Sequence, residues 1–581
     1  VETSGNLMKQ LFSEYAGIMY KEFYKEIEME HYYNQNKYKK KQGDGGVEEK
    51  KGGEDEEENI QEYDYGSSQE SFKTLVMNNH NTFFKDKIIH QGFKQAFKGN
   101  WGAFSHTKRI GVIQPLNRLS YLSALSHLRK INLNIDASSK LTGPHMLHAS
   151  QWGVIDPVDT PDGGNVGFHK HMALTCTISH TIDDESLVKW MFDNMNQSMN
   201  IQGKQVDLQF LSLDVSTKEE LKQFTKVFVN GNIIGITNHP FLFQKMFLQA
   251  RRMNYIPIYI SFSFESRDKY IFIYCDEGRL LRPVLYMEQN GMLQYVFNTS
   301  VFEKVANNTM TWKQYVYGQD ETGSNNKTYV PIDKEFYSAK REEIKSIIEY
   351  LDKSEEESSY ICMYANEIKP KVTYDYTHCE IHPSLMFGVM GSHVLFPEHN
   401  QLPRDLFSCG QSKQAASLYH SNFPYRIDTI GLLLNYGEIP IVKSRMMKYI
   451  NEEKHPYGFN AVVAIMCYNG YNVEDAILIN EGALTRGMFH TTYYNMYEAY
   501  EESSEIGENK TNTIIKNLKG EKSVEIKPGY DYNALNEFGM IHENTLMDDK
   551  KVVIGRVTYN ETVSYTHLRA HETGRNRGWP G

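Results

Sequence analysis

Apolar positions along the chain recur with several periods, and each period predicts an element. Leu7, Leu11, Tyr15, Met19 and Phe23 follow one another every four residues, one face of a helix that Thr3 or Ser4 caps. That helix is under way almost at the first residue, which reads as a chain continuing upstream of Val1. Leu119, Leu122, Leu125 and Leu128 recur at threes, so one side of that segment is expected to be buried. Arg118 and Arg129, eleven residues apart, would then share a face about three helical turns on. Ala173–Ile178 alternates weakly like a strand, and Lys226–Ile236 is a hairpin about Asn230-Gly231. Tyr259–Tyr274 and Leu280–Tyr286 are strand-like, Lys340–Leu351 reads as a helix and Asp352–Glu357 as an acidic link. Two apolar runs, Ala461–Cys467 and Ala476–Ile479, flank a turn and are expected to be buried. Thr513–Val557 is β-rich, interrupted at Gly529 and Gly539. Helices and strands in mixed order, with no internal repeat, predict an α+β multidomain fold. No apolar run approaches the ~18 residues needed to span a bilayer, so no membrane is expected.

Composition sharpens this in three places. The 581 residues suffice for about four domains, and 40% hydrophobic with 23% charged residues suits globular ones. The six cysteines include no CxxC pair, which argues against a local zinc site and for a reducing compartment. Lys37–Glu58 runs from lysines through glycines into Glu54-Asp55-Glu56-Glu57-Glu58 and is expected to be a disordered insertion. Val563–Gly581 loses all apolar periodicity and reads as non-native sequence. The formal charge is −11, yet Gly99–Ile135 holds Lys108, Arg109, Arg118, Arg129 and Lys130 with no Asp or Glu. Such a stretch is a groove for a phosphate backbone or an exposed basic face.

Candidate chemistry gathers in two segments. In Tyr468–Ala476 (YNGYNVEDA) a turn presents Glu474 and Asp475 side by side. One carboxylate reaches a metal such as Mg2+, which binds through one or two carboxylates plus substrate phosphates, while the other anchors the turn. The alternative is an acidic turn that caps the next element. In His399–Asp405, Pro403 fixes the approach of Arg404, whose planar guanidinium suits bidentate contact with a triphosphate. The alternative there is an ion pair with Asp405 or Glu398. Lys413 and Gln414 follow. Cys379 and His382 lack a second metal-ligand pair, so His382 reads as a buried, hydrogen-bonded histidine. Phosphate-loop, GxSxG and HExxH patterns are absent, and the glycines of Gly163–Gly167 lack the strand–helix context of a dinucleotide fingerprint.

Taken in order, GNWG (Gly99–Gly102), LSHLRK (Leu125–Lys130), HASQWGVIDPVDTPDGGNVG (His148–Gly167), HCEIHPS (His378–Ser384), PEHNQLPR (Pro397–Arg404), SKQA (Ser412–Ala415), RIDT (Arg426–Thr429) and YNGYNVEDA resemble the second-largest subunit of multisubunit DNA-dependent RNA polymerases. The resemblance covers about Phe72–Val557. Arg486–Glu502 is most similar to versions carried by large DNA viruses of eukaryotes.

The resemblance implies the end of a protrusion at 1–71, a fork at 72–170, and external domains at 171–284 and 285–373. A first part of a hybrid-binding domain follows at 374–490, then part of a wall at 491–562, with 563–581 outside the family pattern. It implies that Glu474 and Asp475 lie near a nucleotide-borne Mg2+ and that Arg404 contacts the incoming triphosphate. Arg109, Arg118, Arg129, Lys130, Lys413 and Gln414 would face nucleic acid. Partners would be the largest and smaller polymerase subunits, the DNA template, the RNA transcript and nucleoside triphosphates. The location would be intracellular: the nucleus of a cell, or for a virus the virion or the host cytoplasm or nucleus. Two positions depart from the family pattern: Asp162 stands for the usual Glu of TPEG, and Ala476 for the Ser after the acidic pair. The chain ends in the wall, without the family's C-terminal zinc-binding clamp, and lacks the triple-aspartate loop of the largest subunit. Catalysis would therefore require that subunit. A self-contained metal nuclease and a non-catalytic nucleic-acid scaffold remain the competing readings.

Overall fold

A computed structural model describes residues 1–43, 87–133, 140–201, 204–214, 217–287, 346–367, 376–506, 509–518, 526–561 and 569–571, with isolated positions at 73–85, 135, 303–311 and 329. It falls into two compact units: Val1–Leu116 with Arg129–Gly391, and Asn117–Leu128 with Ser392–Gly581.

The first unit opens with the expected helix, Ser4–Gly43, whose start is capped by the Thr3 hydroxyl accepting from the Asn6 amide at 3.4 Å. Leu11 on its apolar stripe is buried with Ala96 and Trp101. Gly92 on the helix Lys87–Phe97 has no substitute here, because a Cβ would sit 2.5 Å from the Tyr15 ring. The helix runs on to Gly43, so the first residues of the expected disordered insertion are helical; positions 44–60 lie outside the described residues.

The main core of this unit is a five-stranded sheet in the order Phe210–Ser212, Asn232–Thr237, Thr225–Val229, Tyr270–Tyr274, Ser261–Glu265. The hairpin at Asn230-Gly231 forms as read, with both residues at positive φ (47° and 83°). Val227, Val229, Ile271 and Ile273 alternate onto the covered face, where the helices Asp184–Asn194 and Pro240–Arg252 supply Trp190, Met191, Phe243, Met246 and Phe247.

A second sheet is built around Leu280–Tyr286, which pairs with Ile348–Leu351, His378–Cys379 and Thr177–Ile178. This corrects the helix expected over Lys340–Leu351. Its described end is a strand, because alternate residues Glu349 and Leu351 are buried in register with Val284 and Arg282. Nor is 352–357 a link: the Asp352 carboxylate accepts from the Glu355 amide at 2.8 Å and starts the short helix Lys353–Glu357. The strand Leu280–Tyr286 also runs across the boundary expected at 284–285.

Between the sheets lies a buried ionic network. Arg251 forks onto Glu355 at 2.7 and 2.9 Å and reaches Glu349 at 3.2 Å. Arg252 forks onto Glu349 at 2.6 and 3.0 Å and lies 4.0 Å from the Tyr286 ring, while His378 Nε2 meets Glu349 at 2.8 Å. Burial alone would lower Arg251, but Glu355 and Glu349 outweigh it and hold the guanidinium above its usual range. Against its own burial, Glu349 is held well below the carboxylate range by Arg252 and Arg251.

In the second unit the helix Tyr121–Leu128 packs on the helix Leu402–Gln414. One side of it is buried, through Leu122, Ser123, Ala124 and Ser126, while Leu119 and Leu128 at the two ends of the leucine series are exposed. Ile430–Leu434 pairs with Thr491–Asn495. A four-stranded sheet, Glu502–Ile506, Asn509–Ile515, Arg556–Glu561 and Arg569–His571, lies beside a core of Leu518, Tyr532, Leu535, Val552 and Val557. Part of the tail expected to be non-native is thus paired in this sheet.

Candidate functional site

The segment 468–476 is built from two successive tight turns. In Tyr468–Tyr471 the central residues Asn469 and Gly470 have φ of 50° and 78°, and the Tyr471 amide donates to the Tyr468 carbonyl at 3.0 Å. In Val473–Ala476 the central residues are Glu474 and Asp475, at φ 55° and 67°, and the Ala476 amide donates to the Val473 carbonyl at 3.3 Å. Two positive φ values and a bond from the first to the fourth residue are the pattern of a type I′ turn. Asn472 joins the two turns and pins the loop: its amide donates to the Met466 carbonyl at 2.7 Å and its oxygen accepts from the Tyr468 amide at 3.2 Å.

The first turn carries residues such a turn favours; in the second, Asp475 is of a favoured type and Glu474 is not. A non-glycine residue held in the left-handed region costs on the order of 1–3 kcal/mol. Glu474 and Asp475 hold it in succession, and both are exposed. Among the described residues neither carboxylate has a hydrogen bond or ion pair. Hard carboxylate oxygens, uncommitted and adjacent, fit a cation that arrives already coordinated by phosphates and water. Among the described residues no cluster of three His, Cys, Asp or Glu is placed to hold a metal.

The flanking apolar runs are not buried, contrary to expectation. Val462, Ile465 and Ile477 are 103, 98 and 83% exposed. Burial of an extended run requires a covering surface from another element, and among the described residues nothing covers this one.

Arg404 stands in the first turn of the helix Leu402–Gln414, which starts earlier than the sequence suggested because Pro403 occupies a first-turn position where its missing N–H is harmless. Its guanidinium is exposed and lies 5.8 Å from the Phe407 ring. The ion pairs weighed as alternatives do not form: Asp405 is buried and Glu398 lies beside His399 at 3.8 Å. Lys413, half-buried, is nine residues on, two and a half turns, and so on the opposite side of the helix from Arg404. Exposed Gln414 ends the helix.

The basic residues of Gly99–Ile135 are divided between the two units. Arg109 pairs with Glu2 in the first unit. Arg118 belongs to the second, near Asp428 and His420. The helix between them covers only Tyr121–Leu128, so Arg118 and Arg129 do not share a helical face. Arg129 is taken up by the fold: its Nη2 donates to the carbonyls of Ala173, Leu174 and Cys176 at 2.6, 3.2 and 3.4 Å. Lys130 begins the strand Lys130–Asn132, paired with His169–His171.

Two groups were not singled out from the sequence. Asp156, in the turn-rich stretch after Val154, is 3% exposed and accepts from the amides of Val158 and Gly391, both at 3.0 Å. Burial, then the neighbouring Asp159, pushes its carboxyl up to about 6. Glu452 is fully buried in the second unit. No periodicity marks either residue; an acid amid turn residues is ordinarily solvated. His382 caps the turn Pro383–Met386, its Nδ1 accepting from the Ser384 amide at 3.1 Å, and is half-buried.

Comparison with known proteins adds to this geometry. Residues 114–178, 227–288, 343–383 and 390–578 match the family models for RNA polymerase Rpb2, domains 3, 4, 5 and 6 respectively. DNA-directed RNA polymerase II subunit RPB2 of Encephalitozoon cuniculi is 33% identical over 483 residues, 82% of this chain and 38% of the relative. DNA-directed RNA polymerase II subunit 2 of Arabidopsis thaliana is 32% identical, over 82% of this chain and 37% of the relative. DNA-directed RNA polymerase subunit Rpo2 of Sulfolobus acidocaldarius is 29% identical, over 81% and 38%. The matches thus span under two-fifths of the length of these relatives. Among the described residues no helix is long and apolar enough to cross a membrane.

Proposed function

From the premise that the chain belongs to the family of the second-largest subunit of DNA-directed RNA polymerases, we propose that it binds template and DNA–RNA hybrid and orients the incoming nucleoside triphosphate for RNA synthesis. The observation that carries this reading is the second turn of the loop, where two consecutive acids hold a costly backbone conformation and, among the described residues, have no partner. Strain without a structural return is expected where a side chain must be aimed at a ligand.

The reaction joins the RNA 3′-hydroxyl to the α-phosphate of the nucleotide and releases pyrophosphate. A magnesium ion arriving with the triphosphate supplies charge neutralisation. Asp475 and Glu474 would position that nucleotide through the ion it carries, and Arg404 would grip its phosphates from a helix first turn, its guanidinium free of a competing carboxylate among the described residues. Arg109, Arg118, Lys130, Lys413 and Gln414 stand as contacts to nucleic acid on this reading. Arg129 supports the backbone that carries its neighbours. The active enzyme includes the largest subunit and smaller ones, and works wherever its template lies: in a nucleus, or in a virion or host cytoplasm if the source is viral.

The test is Asp475→Ala in the assembled enzyme. Loss of one charged contact to a metal-bound triphosphate is expected to reduce nucleotide addition by about 10²–10³, with template binding and melting temperature retained. Near-normal elongation sinks the proposal. Retained template binding by an enzyme that no substitution at Asp475 or Arg404 alters favours the non-catalytic scaffold instead.

A further inference from the structure

We propose that Glu452 is a positioning residue for the helix Leu402–Gln414: its carboxyl, uncharged, completes the buried seat of the helix's last turn, and a charge there opens that seat. The proposal rests on the role given above to Arg404 and Lys413. Glu452 begins a short turn, Glu452–Lys454, entered through Asn451 at φ 64°, and is 0% exposed. Among the described residues neither of its carboxylate oxygens has a hydrogen-bond partner. A buried ionised carboxylate without donors is among the costliest groups a fold can hold.

Its neighbours are what fasten the helix. Tyr121, pushed up first by burial and then by its nearness to Glu452, donates its hydroxyl to the Ile450 carbonyl at 2.9 Å and stacks on His455 at 3.9 Å. Next to it, the Ser120 hydroxyl lies 3.3 and 3.2 Å from the carbonyls of Ser412 and Lys413. On the other side, Tyr457 bonds to the Ser412 side chain and lies within the field of both Glu452 and Cys409. The titratable groups around Glu452 are thus Tyr121, His455, Tyr457 and Cys409, with Lys413 on the turn they hold. Burial alone, with no charged partner, pushes the Glu452 carboxyl up to about 8.

The direction of the pH effect follows from linkage. A carboxyl whose folded value is raised from 4.5 to about 8 stabilises the closed seat fully below its unfolded value, and that contribution is lost as pH rises through the folded one. Opening of the last turn therefore becomes about tenfold easier per pH unit between about pH 5.5 and 7.5, and levels off above about 8. Above that, the charged side chain displaces the turn in the closed state as well.

The measurement is amide hydrogen exchange over residues 402–414 in the assembled enzyme, corrected for intrinsic rates, for wild type and Glu452→Met. The expected result is a pH-dependent opening constant in wild type and a flat one in the variant. Along with it, the KM for nucleoside triphosphate rises above about pH 8 in wild type only, at unchanged kcat. If the methionine variant does not assemble, Glu452→Gln removes the same titration with nearly the same shape. A wild-type opening constant as flat as the variant's overturns the proposal. Failure of the underlying reading looks different: Arg404→Ala would leave the KM unmoved while exchange still follows pH.

Discussion

Two sets of charges in this molecule are built on opposite terms. Around Arg251 in the first unit, each guanidinium finds carboxylates at hydrogen-bond distance, and both Arg251 and Glu349 are almost wholly buried. In the loop 468–476 of the second unit, Glu474 and Asp475 are exposed and, among the described residues, without partners, on a backbone that favours glycine. The network joins two helices and two strands into one core, so its charges are consumed by the fold. The loop holds strain and leaves its charges unused. The difference teaches where to look for function: a paired buried charge explains itself, whereas an unpaired charge held at conformational cost needs something outside the fold.

Substitutions in the two places are expected to separate stability from activity. Glu355→Ala leaves Arg251 buried with an incomplete set of partners, which is expected to cost about 3–5 kcal/mol; denaturant unfolding of the full chain measures it, and nucleotide KM in whatever enzyme assembles should not change. Asp475→Ala is expected to do the reverse, with a rate loss and no change in unfolding midpoint. Equal effects of both substitutions on both readouts would erase the contrast.

Asp156 offers an intermediate case, a buried acid held by backbone amides and facing a second acid. Because its carboxyl is raised from 3.8 to about 6, the folded state favours the protonated form. Its contribution is complete below its unfolded value and is lost as pH rises through about 6. Stability is therefore expected to fall by up to ~3 kcal/mol across that window and to stay level above it. Asp156→Asn should flatten this part of a pH series of melting temperatures; an unchanged slope would assign it to other groups.

Smaller effects sharpen the loop side. Arg404→Lys keeps the charge but loses the planar fork, so the nucleotide KM is expected to rise by about 3–10-fold with kcat nearly retained. A lowered melting temperature with unchanged KM would instead make Arg404 structural. Glu474→Gly relieves one left-handed position and is expected to raise stability by about 0.5–1 kcal/mol while weakening nucleotide use. Absence of any stabilisation would show that the turn carries no strain at that residue.

Local chemistry was legible in the sequence wherever it closes over a few residues. The Asn230-Gly231 hairpin, the N-terminal helix and the turn that presents Glu474 and Asp475 all depend on neighbours along the chain. The order of motifs also carried the family, which the matches to four domain models support. The errors arose where a distant segment decides. The end of Lys340–Leu351 is a strand because Leu280–Tyr286 offers it an edge. Arg129 is bound by three carbonyls that lie more than forty residues on.

The sequence by itself determined which residue types stand where: a basic stretch free of acids, an acid pair in a turn, an arginine after a proline. Tertiary structure decided which of those charges are already satisfied. It placed Arg118 and Arg129 in different units and, among the described residues, left Arg404 without a carboxylate partner and buried Glu452 with nothing to bond. The physical reason is one of range. Turn and helix preferences act within about four residues, whereas burial and ion pairing depend on whatever the folded chain brings within a few ångströms, at any sequence separation.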